Sequence, residues 1–472
     1  MSKSKLLSPR FLCLAVCLFL SLWTLSAAQH GAPSVASEVA RPVPAWVRDG
    51  VIYEIFPRDF SPEGNFNGIT ARLDDLKDLG VTIVWLMPIH PVGQEGKKGT
   101  LGSPYAVRDY YSINPNYGTT DDLHRLIAEA HHRGLKVILD MVANHTAWDS
   151  VMMKNPDFYR HDASGKIISP VPDWSDVAAL NYDSPRLRDY MVDMLKYWLR
   201  EFNLDGFRCD VAGMVPTDFW EHARQELQTI KPDLLMLAEA DKPDLLVKAF
   251  DLDYAWPFHA ALTKVIIGDS PATALHTEWQ QERATFPRGA LHMRFSDNHD
   301  ELRAIVRFGE RGALAASALI FTMDGVPLIY NGMEVGDTTE SAAPALFEKM
   351  SIFWKIAERR TEFSRSYHEM IALRRAHPAL RQGETEWVRN SDEARVATYF
   401  RRTGSEEFLV AINLSNRPFE GTLELRDGSS FLDVTPKSYA SSNGDNVPRR
   451  MTLPGLNLDA WGFRVFQRSS PH

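Results

Sequence analysis

PRLRDYMVDMLKYWLREFNLDGFRCD, residues 185–210, joins a helix to a strand. Leu187, Met191, Leu195, Trp198 and Phe202 recur at helical spacing among Arg, Asp and Lys, so 185–202 reads as an amphipathic helix. Residues 205–209 then read as a strand, and Arg208 and Asp210, two apart, leave it on the same side. The unit repeats outward in both directions. Strands are expected at 51–56, 82–86, 136–141, 205–209, 234–238, 250–254, 291–295 and 327–330. Between them helices are expected at 71–79, 121–133 and 219–229, with a last one at 363–376. Such alternation over a chain of 472 residues points to a parallel sheet closed into a (β/α)8 TIM barrel. A doubly wound open sheet is the alternative, but it calls for a glycine-rich turn after the first strand, where Phe56-Pro57-Arg58-Asp59 stands.

The rhythm breaks twice. Residues 143–181 are rich in loop signals, with Pro156, Pro170 and Pro172, and suggest a small excursion domain (146–181) after strand 3. Beyond about residue 378 the period falls to two, at 397–400, 408–412, 422–425 and 463–466. This predicts a C-terminal antiparallel β-sandwich domain at 386–468, after a barrel domain at 46–380.

Lys3, Lys5 and Arg10 precede an apolar run at 11–25 that ends in Ser26-Ala27-Ala28, the pattern of a signal peptide over 1–28, followed by a linker at 29–45. An uncleaved anchor is the alternative, since the run approaches spanning length. The expectation is an exported protein, periplasmic or secreted, with no stable membrane insertion after cleavage. Cys13 and Cys17 would leave with the signal, and Cys209 alone permits no internal disulfide. The net charge of −9 becomes more negative without the signal, which argues against nucleic acid or anionic lipid as partner.

Polar residues gather at the predicted strand ends: Asp140, Asn144 and His145; Arg208 and Asp210; Glu239; Asn298, His299 and Asp300. One Asp after a strand is usually a cap or a turn residue. Several such clusters at successive strand ends converge on one pocket in a barrel. The chain offers no cysteine–histidine pairing, phosphate loop or compact zinc spacing. Paired carboxylates suit glycosidic cleavage, one ionised and one protonated. Arg208 is expected to keep Asp210 charged, and Glu239, after an apolar strand, to have the raised pKa.

These motifs resemble the four signature regions of the α-amylase family of retaining glycoside hydrolases (family 13): 140–145, 206–210, Glu239 with its strand, and 295–300. The flanks 51–60, 80–88 and 325–336 match as well, so the resemblance covers residues 46 to 376. It implies Asp210 as nucleophile, Glu239 as general acid/base and Asp300 as transition-state stabiliser. It implies too that Arg208, His145 and His299 hold the sugar, that Tyr105 stacks on it, and that Asp140 is structural support. The implied substrates are starch-type α-glucans, malto-oligosaccharides or cyclodextrins. Many members bind calcium between barrel and excursion through an asparagine equivalent to Asn144, so calcium is the one cofactor expected, with Asp173 and Asp176 as further oxygen donors.

The pattern also departs from typical α-amylases. Gly213 and Met214 stand where Lys-His usually follows the nucleophile, and Ser103-Pro104 replaces His-Gly before Tyr105. The segment 206–220 looks closer to the neopullulanase and cyclomaltodextrinase branch, although Ala178-Ala179-Leu180-Asn181 lacks that branch's charged residue and its extra N-terminal domain is absent here. The same intermediate also serves a glucosyltransferase or an isomerase, which is the alternative reading. A non-catalytic carbohydrate-binding barrel is the third, and it is the one that would usually have lost an acid.

Overall fold

The computed structural model describes residues 34–404, 406–425, 430–439 and 450–469. The stretch expected to be a signal peptide, 1–28, lies outside the described residues. Eight strands form a closed parallel barrel: β1 (Ile52–Ile55), β2 (Ile83–Leu86), β3 (Lys136–Val142), β4 (Gly206–Asp210), β5 (Leu235–Ala238), β6 (Leu252–Tyr254), β7 (His292–Arg294) and β8 (Val326–Tyr330). Each pairs with its neighbours in sequence, and β8 closes onto β1 through Ile52↔Leu328. The barrel and not the open sheet is what this chain forms.

Alternation along the strands sorts the interior into layers. Ile52, Ile83, Trp85, Ile138, Leu235, Leu237, Leu252, Met293, Val326 and Leu328 make one buried cluster, the apolar plug of the barrel. Two residues further along the same faces stand Glu54, Asp140, Arg208 and Glu239. The polar layer therefore lies on the C-terminal side of the plug, where the loops can reach it. Gly206 makes the β4–β5 pairing feasible: at φ 152° it faces Leu235, and a Cβ there would lie 2.0 Å from the Leu235 carbonyl oxygen.

The outer ring includes α1 (Leu73–Leu79), α2 (Thr120–His132), α3 (Pro185–Phe202), α4 (Thr217–Gln228), α5 (Trp256–Ile267), α6 (Thr273–Thr285), α7 (Ala304–Thr322) and α8 (Thr361–Ala376). In α3, proline occupies the first turn, Asn203 in the left-handed region ends the helix, and Leu187, Met191, Leu195, Trp198 and Phe202 are all buried. Helices α5 to α7 are not foreseen from the sequence. Helix α7 is buried on most sides and kinks at Gly309 (φ 70°), so it has no polar stripe to set a period. In α6 only Leu275 and Glu282 are buried, so there is no apolar stripe either.

The excursion after β3 carries a short antiparallel hairpin, His145–Ala147 with Val177–Ala179. At the C-terminus a six-stranded antiparallel sheet comprises Glu384–Trp387, Val396–Arg402, Glu406–Asn413, Phe463–Ser469, Ser430–Asp433 and Arg450–Thr452, in that order. A separate pair, Phe419–Thr422 with Gly455–Leu458, closes over Phe400, Leu409, Phe431 and Phe466. The strand expected at 422–425 thus starts earlier and ends at Thr422. Two buried arginines meet at the end of α7, Arg374 from α8 and Arg401 from the sheet. Arg374 donates to the carbonyls of Phe321 and Met323 (both 3.2 Å) and Leu380 (2.8 Å), and Arg401 to those of Thr322 (3.0 Å) and Gly383 (2.9 Å). They satisfy the carbonyls at the end of α7, where a cation is also favoured by the helix dipole.

At the opposite end of the barrel, Asp205 accepts from Val137 N (2.9 Å), Lys136 (3.0 Å), Lys231 (2.9 Å) and His131 (2.7 Å). Burial alone would raise this carboxyl, but His131, Lys231 and the Val137 amide outweigh it and hold it below the usual carboxylate range. A folded pKa below the unfolded value of about 4 gives stability that is present above that pH and lost as pH falls. Asp205→Asn is expected to cost about 3 kcal/mol at neutral pH. In thermal melts the gap between the variant and the parent should narrow as pH drops below about 4.

Candidate active site

Arg208, fully buried at the end of β4, is the hub of the polar layer. Its Nη1 donates to Asp140 Oδ1 (2.9 Å), Asp140 Oδ2 (3.1 Å) and Asp210 Oδ1 (3.1 Å). Its Nη2 lies 3.0 Å from Glu239 Oε2, and its Nε donates to the Tyr254 hydroxyl oxygen at 3.1 Å. The rings of Trp85, Tyr105 and Tyr254 stand 5.1, 5.7 and 5.6 Å from the guanidinium carbon, so cation–π attraction replaces part of its lost hydration.

A second cation, His299, serves the other wall. Its Nε2 lies 2.7 Å from the Tyr105 hydroxyl and 3.2 Å from Asp300 Oδ2, and its Nδ1 pairs with Glu54. Tyr105 donates to Asp140 Oδ2 at 3.2 Å, as does Trp85 Nε1. Its ring lies flat on the His299 imidazole, with centroids 5.4 Å apart and planes 21° apart. Asp300 is the most open of the three acids, its side chain 38% exposed against 9% for Asp210 and 13% for Glu239. His145 closes the rim, with Nε2 3.9 Å from Asp210 Oδ2 and its ring against Trp174.

The sequence-selected residues Tyr105, Asp140, His145, Arg208, Asp210, Glu239, His299 and Asp300 therefore meet in one cluster. Glu54, Trp85 and Tyr254 belong to it too and are missed by motif reading. The signal for them is strand alternation: each is the polar or aromatic member of an inward-facing series whose other members are aliphatic.

The turn after β4 sets Glu239. Val211 is β-branched yet adopts φ 37°, ψ 44°, a conformation that costs about 1–3 kcal/mol unless its surroundings impose it. Its amide donates to Glu239 Oε2 at 2.7 Å, and the 3-10 turn Ala212–Met214 that follows is pinned by Trp220 Nε1 on the Ala212 carbonyl at 3.0 Å. Backbone and guanidinium together fix this carboxylate from two sides.

The protonation pattern differs from the sequence expectation. Burial, followed by the charges of Glu239, Asp140 and Asp300, pushes the Asp210 carboxyl well above its ordinary value; Arg208 opposes this and is outweighed. Asp140 is pushed up to about 6, burial again exceeding Arg208. Burial brings His145 down to about 4, so it is neutral in the working range. His299 moves the other way, to about 9: burial lowers it, but Asp300 and Glu54 raise it by more. Five carboxylates, Glu54, Asp140, Asp210, Glu239 and Asp300, surround these two cations, and burial with their mutual repulsion favours a proton within the cluster.

The oxygen donors suggested for calcium have other partners here. Lys98 donates to the Asp173 carbonyl oxygen at 2.7 Å and pairs with Asp176 Oδ1 at 3.2 Å, while the Asn144 amide lies 3.3 Å from His145 Nδ1. No group of three or more His, Cys, Asp or Glu side chains suited to a metal occurs among the described residues. An ammonium from the loop after β2 stands where the excursion's donors converge. Lys98→Met is expected to lower the melting temperature by a few degrees, and a fall in the parent's melting temperature on adding excess EDTA would show a bound calcium.

A cavity of about 640 Å³ lies to one side, lined by Arg58, Tyr117, Lys349 and other residues that include none of these five carboxylates. The chemistry is at the barrel mouth.

A carboxylate cluster at the C-terminal end of a closed (β/α)8 barrel is the arrangement of a glycoside hydrolase. Residues 38–164 and 172–391 match the family model "Alpha amylase, catalytic domain". Alpha-amylase MalA of Haloarcula japonica is 30% identical over 433 residues, covering 87% of this chain and 62% of the relative, so the chain spans under two thirds of that protein. The intracellular maltogenic amylase of Bacillus subtilis (strain 168) is 30% identical over 414 residues, 78% of this chain and 68% of the relative. The crystal structure of a noncanonic maltogenic alpha-amylase, AmyB from Thermotoga neapolitana, has a TM-score of 0.82 at 30% identity and covers 90% of this chain and 100% of that one. The chain belongs to the alpha-amylase family of glycoside hydrolases. Cyclomaltodextrinase of Geobacillus thermopakistaniensis, 28% identical over 427 residues, is a further relative and agrees with the branch that 206–220 resembles. One expectation is corrected: the N-terminus reads as exported, periplasmic or secreted, whereas the Bacillus subtilis relative is an intracellular enzyme, and the export assignment does not stand.

Proposed function

We propose that this chain hydrolyses α-glucosidic bonds in starch-type glucans, malto-oligosaccharides or cyclodextrins with retention of configuration, through a glycosyl-enzyme intermediate on Asp210. The observation that carries this is the single guanidinium of Arg208, which holds Asp210 and Glu239 on adjacent nitrogens at 3.1 and 3.0 Å. Retaining pairs stand about 5 Å apart, whereas inverting pairs leave room for a water between them. The names of the relatives, alpha-amylase, cyclomaltodextrinase and maltogenic amylase, support the substrate class.

Each role follows from position. Asp210 attacks the anomeric carbon as its bond to the leaving oxygen breaks, and Glu239 gives that oxygen a proton. Glu239 then takes a proton from water, whose oxygen displaces Asp210 from the anomeric carbon. Asp210 has to be ionised to attack, and Glu239 has to carry the proton that the leaving oxygen takes. Asp300, open to the cleft and backed by His299, takes hydrogen bonds from ring hydroxyls and stabilises the oxocarbenium-like state. Neutral His145 donates to the sugar from the far rim. Asp140, carrying Arg208, Tyr105 and Trp85, supports the others and faces no substrate.

Asp210→Asn should reduce kcat on malto-oligosaccharides about a thousandfold or more. Glu239→Gln should lose about 10²–10⁴-fold on the same sugars, and much less on an aryl maltoside whose leaving group needs no proton. A time course of products on starch, pullulan, cyclodextrin and maltose, with the anomer followed by NMR, tests substrate and stereochemistry together. Release of the β-anomer first would refute retention, and longer oligosaccharides or trehalose from maltose would show transfer to a sugar in place of hydrolysis.

A further inference from the structure

Glu54 is an acid inside an apolar strand. The chain around it reads Ile52-Tyr53-Glu54-Ile55, every residue of β1 is buried, and Glu54 is 0% exposed. Its Oε1 pairs with His299 Nδ1, and its Oε2 has no hydrogen-bond partner among the described residues. An isolated carboxylate at such a depth is too costly to persist without a fixed cation.

Hydrogen-bond accounting gives the direction of the chain that starts there. The single Tyr105 proton goes to Asp140 Oδ2 at 3.2 Å, so the Tyr105 oxygen accepts from His299 Nε2 at 2.7 Å. Nε2 therefore carries hydrogen. Nδ1, facing a carboxylate, carries or shares the other. The groups around this imidazole are Glu54 from β1, the Trp85 ring from β2, Tyr105 from the loop after β2, Asp140 from β3, Arg208 from β4, and Asp300 on its own loop. The carboxylates favour its charged form, and Arg208 opposes it.

We propose that Glu54 is a positioning residue that holds His299 as a cation, so that its Nε2–H stays on the Tyr105 oxygen and its charge stays beside Asp300 and the bound sugar across the working pH range. Glu54 touches no substrate and acts only through the imidazole. The part that concerns sugar rests on the α-glucan hydrolase reading; the state of His299 does not.

The test uses the full chain, uniformly 15N-histidine labelled, with His299→Gln to assign its resonance. In the parent protein His299 should titrate near 9, with both nitrogens protonated at pH 7. In Glu54→Gln its pKa should fall by about two units, so that a large part of the imidazole is neutral at pH 7. Glu54→Asp, which keeps the charge, should recover part of the shift. Correspondingly, the alkaline limb of kcat/KM in Glu54→Gln should move to lower pH, with a loss of under tenfold at pH 6 and about fiftyfold at pH 9. Ordinary titration of His299 near 6.5 in the parent would overturn the proposal, and that reading needs no folded variant. An equal loss of activity at every pH with the His299 titration unmoved would also overturn it. If the imidazole behaves as expected but no α-glucan is cleaved, the assignment of Glu54 stands and the substrate reading fails.

Discussion

A guanidinium sealed in a barrel and shared among three carboxylates is an expensive object, and the rest of this molecule is arranged around maintaining it. Arg208 has lost all contact with water, and its charge is met by Asp140, Asp210 and Glu239, with aromatic faces from Trp85, Tyr105 and Tyr254 around it. Withdrawal of any one partner from such a buried set strands the remainder, at a cost of about 3–5 kcal/mol. The apolar plug beneath it fixes the strand ends, and the strained turn at Val211 delivers a backbone amide to Glu239. Geometry of this kind is preorganised: the groups that must meet charge in the reaction are already held before any sugar arrives.

The same low dielectric explains why the protonation pattern runs against a simple neighbour argument. One arginine beside one aspartate suggests an ionised acid. Here Arg208 is divided among three acids, and a fourth, Asp300, stands close by, so desolvation and mutual repulsion prevail at Asp210. A proton kept in the cluster is useful to a reaction that must donate one to a poor leaving group.

What could be read from the sequence follows from how each feature is encoded. Strands β2, β5 and β8 are short apolar runs, and the acids and histidines near the strand ends come in recognisable order, so both barrel and cluster were legible. Glu54 was not, because one acid amid Ile52, Tyr53 and Ile55 resembles a flaw in a strand until the barrel closes and brings it against His299, far away in the chain. Helices α5 to α7 escaped for the opposite reason: α7 is enclosed and α6 has almost no buried face, so neither shows an amphipathic period. Lys98 could not be matched to Asp173 and Asp176 by any local pattern, since the loop that brings them together is long and irregular.

The seam between barrel and C-terminal sheet also bears on how such a chain can be divided. Arg401, from the sheet, reaches the last turn of α7 and takes up the Thr322 carbonyl, which has no partner within the helix, beside Arg374 of α8 on the Phe321 and Met323 carbonyls. The sheet is thus not a passenger that recombination could remove or exchange without consequence. Losing it would uncover the end of a core helix that packs next to the β8 side of the barrel, and the wound would open directly onto the enzyme's interior.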